Sequence, residues 1–201
     1  MAKLLSLIAL ALVLVCCEHE GLNPSDAVDA KASTESPDAL VLPAAEGEPA
    51  SGLLVNPFDW TALPQDAPPF GRETPRPCSE EAYGPEDLTG VWVYSIDTEL
   101  CDWLSVEQAT ALELKPGDKV RARVWHFELT APIDAKARVG LALGQTVLVT
   151  AEKDIPSDSA MMTLEALIER PWSKGSPLIF HVDNHGANSW HLVEVALNPE
   201  D

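Results

Sequence analysis

From residue 78 onward, apolar and polar positions alternate with a period of two rather than 3.6. Residues 91–96 (VWVYSI) are dense in β-branched and aromatic side chains, and residues 104–112 continue the pattern. Pro116-Gly117-Asp118 marks a turn, after which residues 119–127 (KVRARVWHF) place Val120, Ala122, Val124 and His126 on one face and Trp125 and Phe127 on the other. Residues 137–143 and 146–151 flank Gly144-Gln145, a two-residue hairpin turn. Residues 162–168, 178–182 and 190–197 complete the series. The expected fold is all-β: an antiparallel β-sandwich of about eight strands, jelly-roll-like. Nothing alternates strand with long helix, so a parallel α/β fold is disfavoured. Residues 107–114 (EQATALEL) have helix propensity and are the weakest strand in this reading.

The amino terminus has a different pattern. A short basic start precedes a 12-residue apolar run at residues 4–15, too short to span a bilayer as a helix and of secretory-signal length. Leu14-Val15-Cys16-Cys17 resembles the lipobox of bacterial lipoproteins, with Cys17 the residue that would be acylated. Glu18 then fits outer-membrane sorting. The expected organisation is a signal peptide over 1–16, a disordered acidic Pro-rich tether over 17–77 and a β-sandwich domain over 78–201. Residues 18–77 hold 10 of the 17 prolines, too little apolar surface to offset ordering entropy. As a random coil such a tether reaches about 40 Å. Residues 53–60 (LLVNPFDW) are apolar enough to read either as a docked strand or as an incidental patch.

Charge and cysteines narrow the function classes. The formal charge is -19, with 32 acidic against 13 basic residues, and both parts of the mature chain are acidic. Nucleic acid is therefore disfavoured as a partner, since phosphate binding needs clustered Lys and Arg. Cys78 and Cys101, an even pair in an exported chain, read as a disulfide that would stabilise the domain by roughly 3 kcal/mol.

Candidate chemistry gathers near the carboxyl terminus. His181, Asp183, His185 and His191 fall within eleven residues, and with His126 they form a candidate divalent-metal set. If residues 184–189 close a hairpin, Asp183 pairs with Trp190, and His181 and His191 lie on opposite faces. A one-residue slip would bring those histidines together, and the sequence leaves both registers open. Asp183, Asn184, His185, Asn188 and Trp190 are the alternative, a ligand-binding loop with an aromatic platform, set against ordinary core and turn roles. His126-Phe127-Glu128 followed by His181 matches the facial triad of non-haem iron oxygenases only formally, since no arginine follows to hold the cosubstrate. No nucleophile elbow, zinc-protease helix or phosphate loop is present, and no catalytic residue or cofactor is expected.

Residues 95–103 (SIDTELCDW), 124–132 (VWHFELTAP) and 184–190 (NHGANSW) resemble segments of uncharacterised lipoproteins of myxobacteria-type bacteria. The resemblance covers the signal and about residues 78–198, and it implies export and a small β domain. It implies no activity. The expected protein is an extracytoplasmic lipoprotein held to the bilayer by an acylated cysteine, with a β-sandwich that binds carbohydrate or another envelope protein; divalent-metal binding is the alternative.

Overall fold

The computed structural model describes residues 52–71, 76, 78–131, 135–184 and 186–199. The signal, Cys17, the first part of the tether and His185 lie outside them. The strands seen among the described residues are β1 Gly52–Leu53, β2 Thr61–Ala62, β3 Tyr83–Leu88, β4 Val91–Asp97, β5 Trp103–Ala109, β6 Lys119–His126, β7 Ala135–Leu143, β8 Thr146–Ile155, β9 Ala160–Leu167, β10 Pro177–Asp183 and β11 Ser189–Leu197.

Eight of them are paired in a nested series. β4 pairs with β11, β5 with β10, β6 with β9 and β7 with β8, all antiparallel. The chain from β4 to β11 is therefore one long hairpin whose closed end is Gly144-Gln145, and successive rungs fall alternately in two sheets. The sheet orders are β3-β4-β11-β6-β9, with β1 also on β11, and β2-β5-β10-β7-β8. This is the jelly-roll connection within an antiparallel sandwich.

The core follows from the two-residue period. Val120, Ala122, Val124 and His126 of β6 face Leu178, Phe180 and Val182 of β10 across the interior, joined by Ile96, Leu141, Leu164, Trp190 and Val195. Cys78 and Cys101 are bonded, tying the chain before β3 to the β4–β5 connection. The 107–114 stretch stays in the sheet to Ala109 and then leaves it without becoming helical.

Two features correct the sequence reading. First, the packed body begins well before Cys78. Leu54 is fully buried, its N–H donates to the Val195 carbonyl at 2.8 Å, and its carbonyl accepts from Ala111 N–H at 2.9 Å. Farther on, Phe70 stacks on His181 at 4.5 Å over the outer face of the second sheet, and the Trp103 indole donates to the Phe70 carbonyl at 3.0 Å. Sparse apolar residues spaced among prolines are enough to strap an open sheet face, although they could not build a core alone. Second, β3 has no counterpart in the sequence reading. It carries Gly84 and Pro85, which read as turn residues, and it is accommodated because it is an edge strand.

Candidate functional site

Of the residues expected to form a carboxyl-terminal site, Asn184 and Asn188 meet, with Asn188 Nδ2 donating to Asn184 Oδ1 at 3.2 Å, whereas Trp190 and the described histidines go elsewhere. β10 and β11 lie in opposite sheets and do not form a hairpin, so neither expected register exists. The jelly-roll requires this, because successive rungs of the nested series fall in different sheets. Trp190 is 0% exposed and packs inward, its ring centroid 5.2 Å from that of His126. It offers no platform. Asn184 and Asn188 are buried structural groups. Asn184 Nδ2 donates to Thr98 Oγ1 at 2.7 Å; Asn188 Oδ1 accepts from Thr130 N–H at 2.6 Å, and its Nδ2 donates to the Thr130 carbonyl at 3.1 Å. They satisfy neighbouring backbone groups, as buried polar groups must. Asp183 ends β10 between Trp103 and Arg138.

The histidines are likewise dispersed. His126 lies inside the sandwich and donates from Nδ1 to the Phe127 carbonyl at 2.8 Å. His181 sits under Phe70, with Nδ1 3.0 Å from Ser105 Oγ. His191 is on the outer face of the other sheet, with Nδ1 2.7 Å from Ser95 Oγ. Among the described residues, no group of three or more His, Cys, Asp or Glu is placed to hold a metal ion. Strand alternation and sheet switching send His126, His181 and His191 to different layers.

A notch in the first sheet is the better site. β4 leaves β11 after Tyr94 pairs with Leu192, and β1 joins β11 only at Ala196, with Leu54 N–H bonding to Val195. Between them Val193 and Glu194 have no strand on that side, and a β-bulge at Val193 interrupts the pairing to β6 as well. The gap is a cavity of about 290 Å³ lined by Leu53, Val55, Phe58, Trp60, Trp92 and residues 192–194. Phe58 and Trp92 stand at its rim, centroids 4.8 Å apart and planes tilted by 54°, with exposures of 53% and 49%.

The local sequence explains the geometry. Asn56 Oδ1 accepts from Phe58 N–H at 3.1 Å, and the Asn56 carbonyl accepts from Asp59 N–H at 3.2 Å, so Asn56-Pro57-Phe58-Asp59 is a tight turn that presents the phenyl ring. Gln108 fastens that turn, accepting from Asn56 N–H at 2.6 Å and donating to its carbonyl at 2.7 Å. Trp60 lies deeper, centroid 6.0 Å from that of Tyr94, and its indole N–H has no hydrogen-bond partner. Glu194 supplies the carboxylate, 3.8 Å from Arg123. Burial, and secondarily the neighbouring Tyr83, raises the Tyr94 phenol's pKa, keeping it neutral. Two half-exposed rings and one carboxylate can hold a ligand with apolar faces and polar edges. Trp92 and residues 53–60 were both visible in the sequence; their meeting across β11 was not.

The fold and notch define an antiparallel jelly-roll sandwich with an aromatic surface site. No family model matches the chain, and no curated protein matches it in sequence. Among solved structures it is similar to the carbohydrate-binding module TmCBM27, described by its specific mannan recognition, with TM-score 0.48 and 10% identity over 76% of this chain and 96% of that one. It is also similar to TmCBM61, solved with β-1,4-galactotriose, with TM-score 0.44 and 9% identity over 70% and 88% of the two chains. A third is the CBM22-1 xylan-binding domain from Paenibacillus barcinonensis Xyn10C, with TM-score 0.39 and 15% identity over 74% and 92%. Likeness of this degree says nothing about a ligand here, and the fold assignment rests on the strand order itself.

Proposed function

We propose that the chain is an exported, lipid-anchored binding module whose sandwich holds a carbohydrate in the notch beside β11. The observation that supports this reading is the half-exposed Phe58–Trp92 pair beside the Glu194 carboxylate, in a notch floored by the Trp60 ring. A sugar ring has an apolar C–H face for the aromatic rings and hydroxyls at its edge for the carboxylate. The anchor rests on the amino-terminal sequence: the short apolar run, Cys17 and the acidic spacer.

Glycan-array screening of the purified full chain, followed by calorimetry on the best hit, tests the ligand. Trp92→Ala is expected to weaken that hit at least tenfold, about 1.4 kcal/mol. An array without a hit, or a hit insensitive to Trp92→Ala and Phe58→Ala, refutes the assignment. Mass spectrometry of native material tests the anchor: an acylated Cys17 terminus is expected, and an intact Met1 excludes it. A protein ligand is the second reading, favoured by the exposed aliphatic side chains Leu53 and Val91, at 58% and 51%. Retention of an envelope protein, lost in the same two variants, would select it over sugar.

A further inference from the structure

A second cleft, of about 370 Å³, opens between β3, β4 and the start of β11, and it differs in chemistry from the notch. Its lining includes Glu81, Glu86 and Asp97 but neither lysine nor arginine, and Phe127 stands over it half-exposed. His191, only 2% exposed, also lines it, with the Phe127 ring edge-on at 5.2 Å and 87°.

The hydrogen bonds around His191 fix its tautomer. Ser95 Oγ lies 2.5 Å from Glu86 Oε2 and 2.7 Å from His191 Nδ1. A hydroxyl has one hydrogen and an ionised carboxylate can only accept, so Ser95 donates to Glu86. His191 Nδ1 must then donate to Ser95, which leaves the lone pair on Nε2, a buried atom with no hydrogen-bond partner among the described residues. Burial lowers the imidazole's pKa, opposed less strongly by Glu86, so the ring stays neutral and the lone pair remains. The trio is therefore not a nucleophile with its base, since the serine proton is held by the carboxylate. Among the described residues, none supplies the cleft with a cationic donor.

We propose that this cleft is a binding site for a primary alkylammonium group, from a small amine or a lysine side chain. Glu86 and Asp97 supply the opposing charge, the exposed Phe127 ring supplies a cation–π face, and His191, which lines the cleft, carries a buried acceptor with no partner among the described residues. The excess of acidic over basic residues along the chain raises the local concentration of cations before they dock. The site is separate from the notch and does not depend on the carbohydrate reading.

The test is an NMR titration of the ¹⁵N-labelled full chain with butylammonium and with N-acetyl-lysine amide, against N-acetyl-norleucine amide as the neutral match. Both charged probes are expected to shift His191 and Ser95 resonances, with affinity at least tenfold above the neutral probe. If butylammonium alone does so, the site takes free amines; if only the lysine derivative does, it reads side chains. Glu86→Gln is expected to cut the affinity fivefold or more, with Asp97→Asn as a second variant, because one of them could disturb folding. Glu165→Gln on β9 and Trp92→Ala in the notch should leave it unchanged. Equal affinity for charged and neutral probes overturns the proposal. So does a Glu86→Gln effect no larger than that of Glu165→Gln, which would mean general attraction of cations to an acidic surface. Absence of shifts at His191 up to about 50 mM, where a millimolar site is filled, does the same.

Discussion

Leu54→Ala tests whether the segment before Cys78 belongs to the fold. Leu54 is 0% exposed and belongs to the main core cluster, and its backbone bridges Val195 of β11 and Ala111. The substitution removes three carbons, at about 0.8 kcal/mol each, so the transfer cost alone is about 2.4 kcal/mol. Partial collapse of the remaining cavity brings the expected loss to about 3 kcal/mol, within the ~2–5 kcal/mol range for buried Leu→Ala. With a urea slope of about 2 kcal/mol/M the midpoint should fall by about 1.5 M without a change of slope. Urea unfolding of the full chain, followed by tryptophan fluorescence and by circular dichroism, measures this. A shift under about 0.3 M would mean that the segment detaches at little cost, and the notch would then have no fixed wall. The same variant should weaken any ligand held by Phe58, because the turn carrying that ring hangs from the Leu54 anchor.

Three further outcomes follow from other contacts. A Cβ on Gly140 would meet Phe70 Cζ at 2.8 Å, so Gly140→Ala should displace the ring from His181 and cost about 1–3 kcal/mol; an equal cost in a Phe70→Ala background would refute this, because the clash would then be absent. Thr89 and Gly90, at φ 54° and 91°, join β3 to β4 in a tight turn with positive φ at both central positions, which a β-branched residue resists. Thr89→Asn should therefore stabilise the protein by about 1 kcal/mol, and a lowered urea midpoint would contradict it. His191 has a folded pKa below the ordinary 6.5, chiefly through burial, despite Glu86 opposite, so the unfolded chain binds the extra proton first. Its contribution to stability is complete above about pH 6.5 and is lost as pH falls towards the folded pKa. The stability gap between wild type and His191→Gln should narrow from pH 7.5 to pH 5, about the ordinary histidine range. A gap independent of pH would mean that His191 does not titrate on unfolding.

How far the sequence reached depended on whether a feature was local. The eight strands of the nested series were readable because alternation is a property of neighbouring residues; Val120, Ala122, Val124 and His126 share an inward face as the period requires. The turn at Gly144-Gln145 was readable for the same reason. β3 was not, because Gly84-Pro85 carries the signature of a turn and only its position at a sheet edge makes it a strand. The grouping of His181, Asp183, Trp190 and His191 misled, because the strands that carry them do not pair with each other. Trp190 went inward and Trp92 outward-opening, a choice set by where β4 ends and not by either residue's neighbours in sequence.

The notch shows why a nested sandwich can place a site where no loop would be expected. β11 is the central strand of its sheet and needs partners on both flanks along its nine residues. β4 supplies one flank only from Ser189 to Leu192, and the remaining stretch would leave backbone groups and the side of the core open to water. The chain meets that need from outside the nested series, with β1 at Ala196–Leu197 and Leu54 at Val195. Two partial strands from distant parts of the sequence cannot abut without a gap, and the gap falls at Val193–Glu194. Its two walls are thus the end of β4, which carries Trp92, and the turn after β1, which carries Phe58. A chain beginning at Cys78 would keep every strand of the nested series yet lose one wall of the notch. The segment that reads as spacer is therefore one wall of the notch, and if the notch holds the proposed ligand, its removal should abolish that binding even where the sandwich still folds.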